Sequence, residues 1–315
     1  MRQTNFSLRY PLLLIFVMLS GFYSCEAKTK SLSSNINLVA STPGDEQIKS
    51  VLAISPETKV DFIRWKLTLQ NTKANKQTFL LSIAYGESQP NTLGFKNGGE
   101  NKSIEGEYNI SRERGSINGD VYHLKSTKLT AEILMVELSG NIFHLLTPQK
   151  QLMVGNGGWS YTLNRKEQLN NVPADLPALT ILSDLPEDTA QQIIFDGRTP
   201  CLDFAKENNL TVASDCFKLK WKLILNKDPK TLQPTTYILR RTNSRESDLT
   251  GKWTIIKGIQ SNPKAVIYQL DPDKPEQSIS LLLGDENVAF FLHKDNQLFT
   301  GNEDFSYTLN KRQKH

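Results

Sequence analysis

The sequence is poor in the residues that metal and nucleophilic chemistry draw on. Its 315 residues hold three cysteines, four histidines and four methionines. Soft ligands select copper, and Cys201, Cys216, these histidines and the few methionines are the whole supply. His123, His144, His293 and His315 form no i, i+2 or i, i+4 pair with one another. There is no glycine-rich phosphate cradle, no nucleophile elbow and no His-Glu helical zinc motif, so no enzyme is expected. A formal charge of +4, with no basic stripe interleaved with aromatics, argues against nucleic acid as a partner. No apolar run reaches the roughly 20 residues that a helix needs to cross a bilayer.

What is present begins at the N-terminus. Arg2 and Arg9 precede the apolar run PLLLIFVML, Pro11–Leu19, which is followed by SGFYSC ending at Cys25. A basic start, a short apolar core and small residues describe a secretory signal. The segment resembles a bacterial lipoprotein signal, which implies cleavage after residue 24 and a lipid on Cys25. Residues 1–24 are therefore expected to be the signal and 25–47 a polar, flexible tether. Outside the cytoplasm disulfides persist, and Cys201 and Cys216 are the two cysteines left. A structural disulfide is the first expectation for them; a metal site at Cys201 and Cys216 is the alternative.

The phrase GNGGWSYTLNR at Gly155–Arg165 returns as GNEDFSYTLNK at Gly301–Lys311. Asn141 and Asn287 keep the same offset, as do Tyr122 and Tyr268. GEYNI from Gly106 matches GKWTI from Gly251, and WKLTL at Trp65 matches WKLIL at Trp221. Landmarks in one order over so long a period indicate two copies of a whole domain, not stacking repeats. The expected domains are 48–167 and 191–315, joined by a proline-rich linker over 168–190.

Each copy reads as strands. In FKLKWKLIL, Phe217, Leu219, Trp221, Leu223 and Leu225 share one parity and Lys218, Lys220 and Lys222 the other. That alternation is a half-buried strand with a lysine-bearing wet face. In the repeated phrase, Phe305, Tyr307 and Leu309 take the inward places, matched by Trp159, Tyr161 and Leu163. No segment shows capped helical periodicity, and closely spaced short strands indicate an antiparallel meander. The fold class is therefore all-β, two tandem meander β-barrels of lipocalin-like shape.

FDGRTPC at Phe195–Cys201, the stretch through Trp253 and the closing LFTGNEDFSYTLN carry a resemblance. The second copy resembles the N-terminal barrel domain of NlpE-type lipoproteins, in its Bacteroidetes-type form. The resemblance implies a small barrel, an outer-membrane lipoprotein facing the periplasm or the cell surface, and a link to copper or envelope stress. Such domains carry two cysteines two residues apart. Here Cys201 is followed only by Cys216, and the first copy has none, so copper handling does not transfer residue by residue.

A non-catalytic sensing or adaptor role, with the membrane and an envelope protein as partners, is the function these readings favour. The alternative is a carrier that holds a small apolar ligand against Trp65, Tyr161, Trp221, Trp253 or Tyr307 inside a barrel. No cofactor is required, copper being the one candidate. Arg240, Arg241 and Arg245 are a further anion candidate, with a solvated strand end as the plain explanation.

Overall fold

The computed structural model describes residue 1 and residues 35–71, 76–113, 119–169, 190–242, 248–259 and 262–312. The rest of the signal, Cys25 and almost all of the linker lie outside them. Two closed antiparallel barrels of eight strands each follow one another along the chain. The first comprises β1 (Ile36–Pro43), β2 (Phe62–Asn71), β3 (Gln77–Gly86), β4 (Glu100–Glu113), β5 (Gly119–Lys125), β6 (Ile133–Ser139), β7 (Ile142–Leu146) and β8 (Thr162–Arg165). The second comprises β9 (Gln192–Thr199), β10 (Leu219–Lys227), β11 (Pro234–Thr242), β12 (Leu249–Ile259), β13 (Asn262–Leu270), β14 (Ile279–Leu283), β15 (Val288–Leu292) and β16 (Thr308–Lys311). Within each barrel every strand pairs with its sequence neighbours, and β1–β8 and β9–β16 close the rings. Closure leaves no free sheet edge.

Alternation places the core. Trp65, Leu67 and Leu69 of β2 and Leu219, Trp221, Leu223 and Leu225 of β10 point into their barrels. Phe217 does not follow them: it precedes the strand and is exposed. The stretch read as a tether is also corrected. Ile36–Pro43 pairs with β2 along its whole length and sends Leu38 and Ala40 into the core, so the first barrel begins near residue 36 and not at 48. Its apolar parity was masked by the polar residues around it.

Two six-residue helices, unexpected from the sequence, follow the first strand of each barrel: α1 (Glu46–Val51) and α2 (Leu202–Glu207). Ile48 and Leu52 enter one core and Phe204 the other. Helices this short cannot stand alone in water, and burial of these side chains holds them in place. Thr42–Pro43 before α1 and Thr199–Pro200 before α2 are equivalent, since each threonine Oγ1 accepts the indole N–H of its barrel's tryptophan, Trp65 or Trp221, at 2.8 Å.

A third apolar cluster belongs to neither interior. Val121, Val136, Ile142, Leu146 and Leu152 of the first barrel pack with Ile267, Leu282, Val288, Leu292 and Leu298 of the second. In each of these pairs the positions are equivalent in the repeat. The same rule governs the polar contacts. Ser160 meets Ser306 at 2.6 Å and Thr162 meets Thr308 at 2.8 Å, each pair 146 residues apart. Gly155 N–H donates to Asn310 Oδ1 at 2.7 Å, and reciprocally Gly301 N–H donates to Asn164 Oδ1 at 2.8 Å. Contacts of i with j repeated as j with i are the signature of an isologous interface, so the barrels are related by a pseudo-twofold axis. The two glycines are required by close approach: a Cβ at either would stand 2.2–2.3 Å from a backbone carbonyl of its own turn.

The repeated phrase therefore has two faces with two jobs. Tyr161, Leu163, Tyr307 and Leu309 fill the interiors. Ser160, Thr162 and Asn164, with Ser306, Thr308 and Asn310, build the seam. The seam explains why β7 and β15 are buried at every position: one face meets the barrel interior and the other meets the second barrel.

Candidate ligand cleft between the barrels

The aromatic residues proposed as ligand contacts are structural. Trp65, Tyr161, Trp221, Trp253 and Tyr307 are all buried in the barrel cores. The indole N–H groups and the Tyr161 hydroxyl are used inside the barrels, whereas the buried Tyr307 hydroxyl has no hydrogen-bond partner among the described residues. Tyr161 donates to Asp45, which also caps α1 by accepting Ile48 N–H. Trp253 donates to the Asn226 carbonyl at 2.8 Å. Phe204 of α2 touches Trp221, Phe291, Phe299 and Tyr307, with centroids 5.0–6.4 Å apart, so the rings pack on one another.

Cys201 and Cys216 form a disulfide with Cα atoms 5.8 Å apart. The bond ties the start of α2 to the approach to β10. With both sulfurs bonded to each other, neither is a thiolate ligand, and the metal reading at Cys201 and Cys216 is withdrawn. Among the described residues no group of three or more His, Cys, Asp or Glu is placed to hold a metal. His144 lies in the seam, fully buried, with Nε2 donating to the Met153 carbonyl and Nδ1 accepting from Thr162. Burial pushes its pKa down to about 4, so it is neutral at pH 7. Asp285, in the turn between β14 and β15, is buried and accepts the N–H groups of Asn287 and Val288; burial raises its pKa to about 6. Arg240 pairs with Asp248 at 3.0 Å, and Arg245 is outside the described residues.

A cleft of about 510 Å³ opens where the two barrels meet. Its walls come from β2, the loop 88–94 and Trp159 on the first barrel, and from Arg198, Lys218, Lys220, Asp304 and Phe305 on the second. Phe62 lies between Phe95 and Trp159, stacked on both at 4.2 and 4.9 Å. The outer face of Trp159 carries the Arg198 guanidinium at 5.1 Å. Lys218 Nζ stands 4.9 Å from the Phe217 ring and 5.9 Å from Phe305. Aromatic faces thus fix the cations by cation–π attraction, which orients their charge without neutralising it.

The two halves of the cleft correspond but are not alike in charge. Arg64 stands opposite Ser41 across β1–β2, as Lys220 stands opposite Arg198 across β9–β10. Arg64 is neutralised: it binds Asp304 at 2.6 Å and the Leu93 carbonyl at 2.7 Å. The residue equivalent to Asp304 in the first copy is Gly158. Among the described residues, Arg198, Lys218 and Lys220 have no carboxylate within ion-pair distance. Burial lowers the pKa of Arg198, and burial followed by repulsion from Arg198 and Lys220 lowers that of Lys218.

None of the cleft residues was singled out as a site from sequence, although signals existed. Lys218 and Lys220 lie on the polar parity of their strand, where a solvated face is the ordinary reading, and the two turns differ as GG against ED. The chain matches no family model, no curated protein and no solved structure.

Proposed function

We propose that this chain is a non-catalytic binding protein of the cell envelope. In this reading it is anchored by a lipid on Cys25, has a sensing or adaptor role, and takes its ligand between its barrels. The observation that carries the reading is the contrast between interiors packed with their own side chains and a cleft in which Arg198, Lys218 and Lys220 have no acidic partner among the described residues. The secretory start of the sequence supports the envelope location, and the resemblance to NlpE-type lipoproteins supports the adaptor role with its link to copper or envelope stress. Packing of the interior rings weighs against a carrier of apolar molecules inside a barrel.

The anchoring half is tested by metabolic labelling with a tagged fatty acid. The protein is expected to take the label and Cys25→Ser to lose it, with the protein shifting from the membrane to the soluble fraction. An unlabelled wild-type chain would remove the anchor. A thermal-shift screen tests the rest, since stabilisation by apolar ligands and not by polar ones would restore the carrier.

A further inference from the structure

We infer that the cleft between the barrels binds a small, non-aromatic polyanion, one bearing phosphate or clustered carboxylate groups, through Arg198, Lys218 and Lys220. This rests on reading the cleft as the ligand site. It adds the ligand's charge, its size and the half of the cleft that holds it.

The pseudo-twofold axis provides an internal control. In one half a cation, Arg64, receives a carboxylate from the turn of the other barrel, Asp304. In the other half Lys220 occupies the matching position, and the matching turn carries Gly158, which has no side chain to offer. Ser41 is replaced there by Arg198 and Phe62 by Lys218, so cations are added where the carboxylate is lost. Arg198 and Lys220 are direct cross-strand neighbours, an arrangement of like charges that costs stability. The half that has lost its acid and gained cations is completed by an external anion.

The class of anion follows from the walls. Phe62 stacks on Trp159 at 4.9 Å and the Arg198 guanidinium stands over the same ring at 5.1 Å, so the indole is already engaged within the protein and a ligand ring is not needed to complete it. Gln89 and Asn91 line the same cleft and offer amide groups to a polar body, while the Ser88 and Thr92 hydroxyls donate to Asp61 and to the Gln89 carbonyl. A volume of about 510 Å³ lies within the range of small-molecule sites. A guanidinium beside two ammonium groups favours two or more negative charges on one molecule.

The test is calorimetric titration of the purified full-length protein at low salt with inorganic pyrophosphate, citrate and glucose 6-phosphate. One-to-one binding of at least one is expected, weakened about tenfold or more in Arg198→Gln and in Lys220→Gln, with thermal unfolding little changed. Lys230→Gln, on an exposed turn, is the control and keeps wild-type binding. Gly158→Asp supplies the missing carboxylate from within. Its Cβ would lie 3.6 Å from the Arg198 guanidinium carbon and 3.1 Å from Asn156 Oδ1, in a turn that already accepts aspartate in the second copy. This variant is expected to unfold at higher temperature and to lose anion binding. Absence of binding to all three probes, or binding unchanged in Arg198→Gln and Gly158→Asp, overturns the inference while leaving the fatty-acid result untouched. Displacement of the bound probe by phosphatidylglycerol vesicles, and not by phosphatidylcholine vesicles, assigns the anion to a lipid headgroup. No displacement assigns it to a soluble molecule.

Discussion

The hydroxyls of Ser160 and Ser306 meet 2.6 Å apart, and the 146 residues separating them are the offset of the repeat itself. Two equivalent side chains touch only where a twofold relation brings a surface against its own copy. Around that point a chain of hydrogen bonds runs from Ser160 to Ser306, Thr308, Thr162, His144 and the Met153 carbonyl. The Met153 carbonyl can only accept, so the His144 proton sits on Nε2 and each hydroxyl before it donates once along the chain.

The serine pair is open to a double-mutant cycle. Ser160→Ala or Ser306→Ala alone removes one of the two hydrogen bonds of the remaining hydroxyl and is expected to cost about 1 kcal/mol. The double variant is expected to cost less than the sum. Additive costs in urea unfolding would show that the two hydroxyls are not coupled.

His144 makes the seam sensitive to acid. Its folded pKa of about 4 lies below the ordinary 6.5, so between these values the unfolded chain binds the proton that the folded chain refuses. Its contribution to stability is therefore constant above pH 6.5 and falls as pH drops toward 4, by on the order of 3 kcal/mol. His144→Phe places at this position the residue found at 290 and removes the titration. Stability measured by denaturant across pH 4–7 is expected to be flatter in the variant, whatever the carboxylates add to both proteins.

The wall cations predict the pH dependence of anion binding. Lys218 has a pKa below its ordinary 10.5 because it is partly buried and faces Arg198 and Lys220. A polyanion favours its protonated form. Affinity for the probe is expected to fall as pH rises toward 10, with proton uptake on binding in that range, and Lys218→Gln is expected to abolish the uptake.

The disulfide predicts an uneven response to reduction. Breaking Cys201–Cys216 releases a 15-residue loop around α2, and Cys201→Ala/Cys216→Ala is expected to lose about 2–4 kcal/mol. The first barrel holds the matching helix through Asp45 and Tyr161 and has no such bond to lose. Hydrogen exchange should therefore quicken in α2 and β9 before it does in α1 and β1.

The strands and the duplication were legible because alternation survives in single segments: Trp65 to Leu69 and Leu219 to Leu225 declare their inner face without help from the rest of the chain. The seam was written more faintly. NIFHLL and NVAFFL are apolar on both parities, which a one-sided barrel strand does not need, and that excess was the trace of a second buried surface. Ile36–Pro43 was hidden by its polar flanks. The cleft was least legible, because it joins residues more than a hundred positions apart and its charge has meaning only once Asp304 is seen beside Arg64 and Gly158 beside Arg198.

Covalent fusion gives this pair of barrels a freedom that two separate identical subunits lack. A mutation in a self-associating protein is made on both sides of its axis at once, so an acid lost from one turn is lost from both. Carried on a single polypeptide, one turn can keep its aspartate as a built-in lock while the other discards it, and a surface evolved for self-recognition can thereby become a receptor for something else.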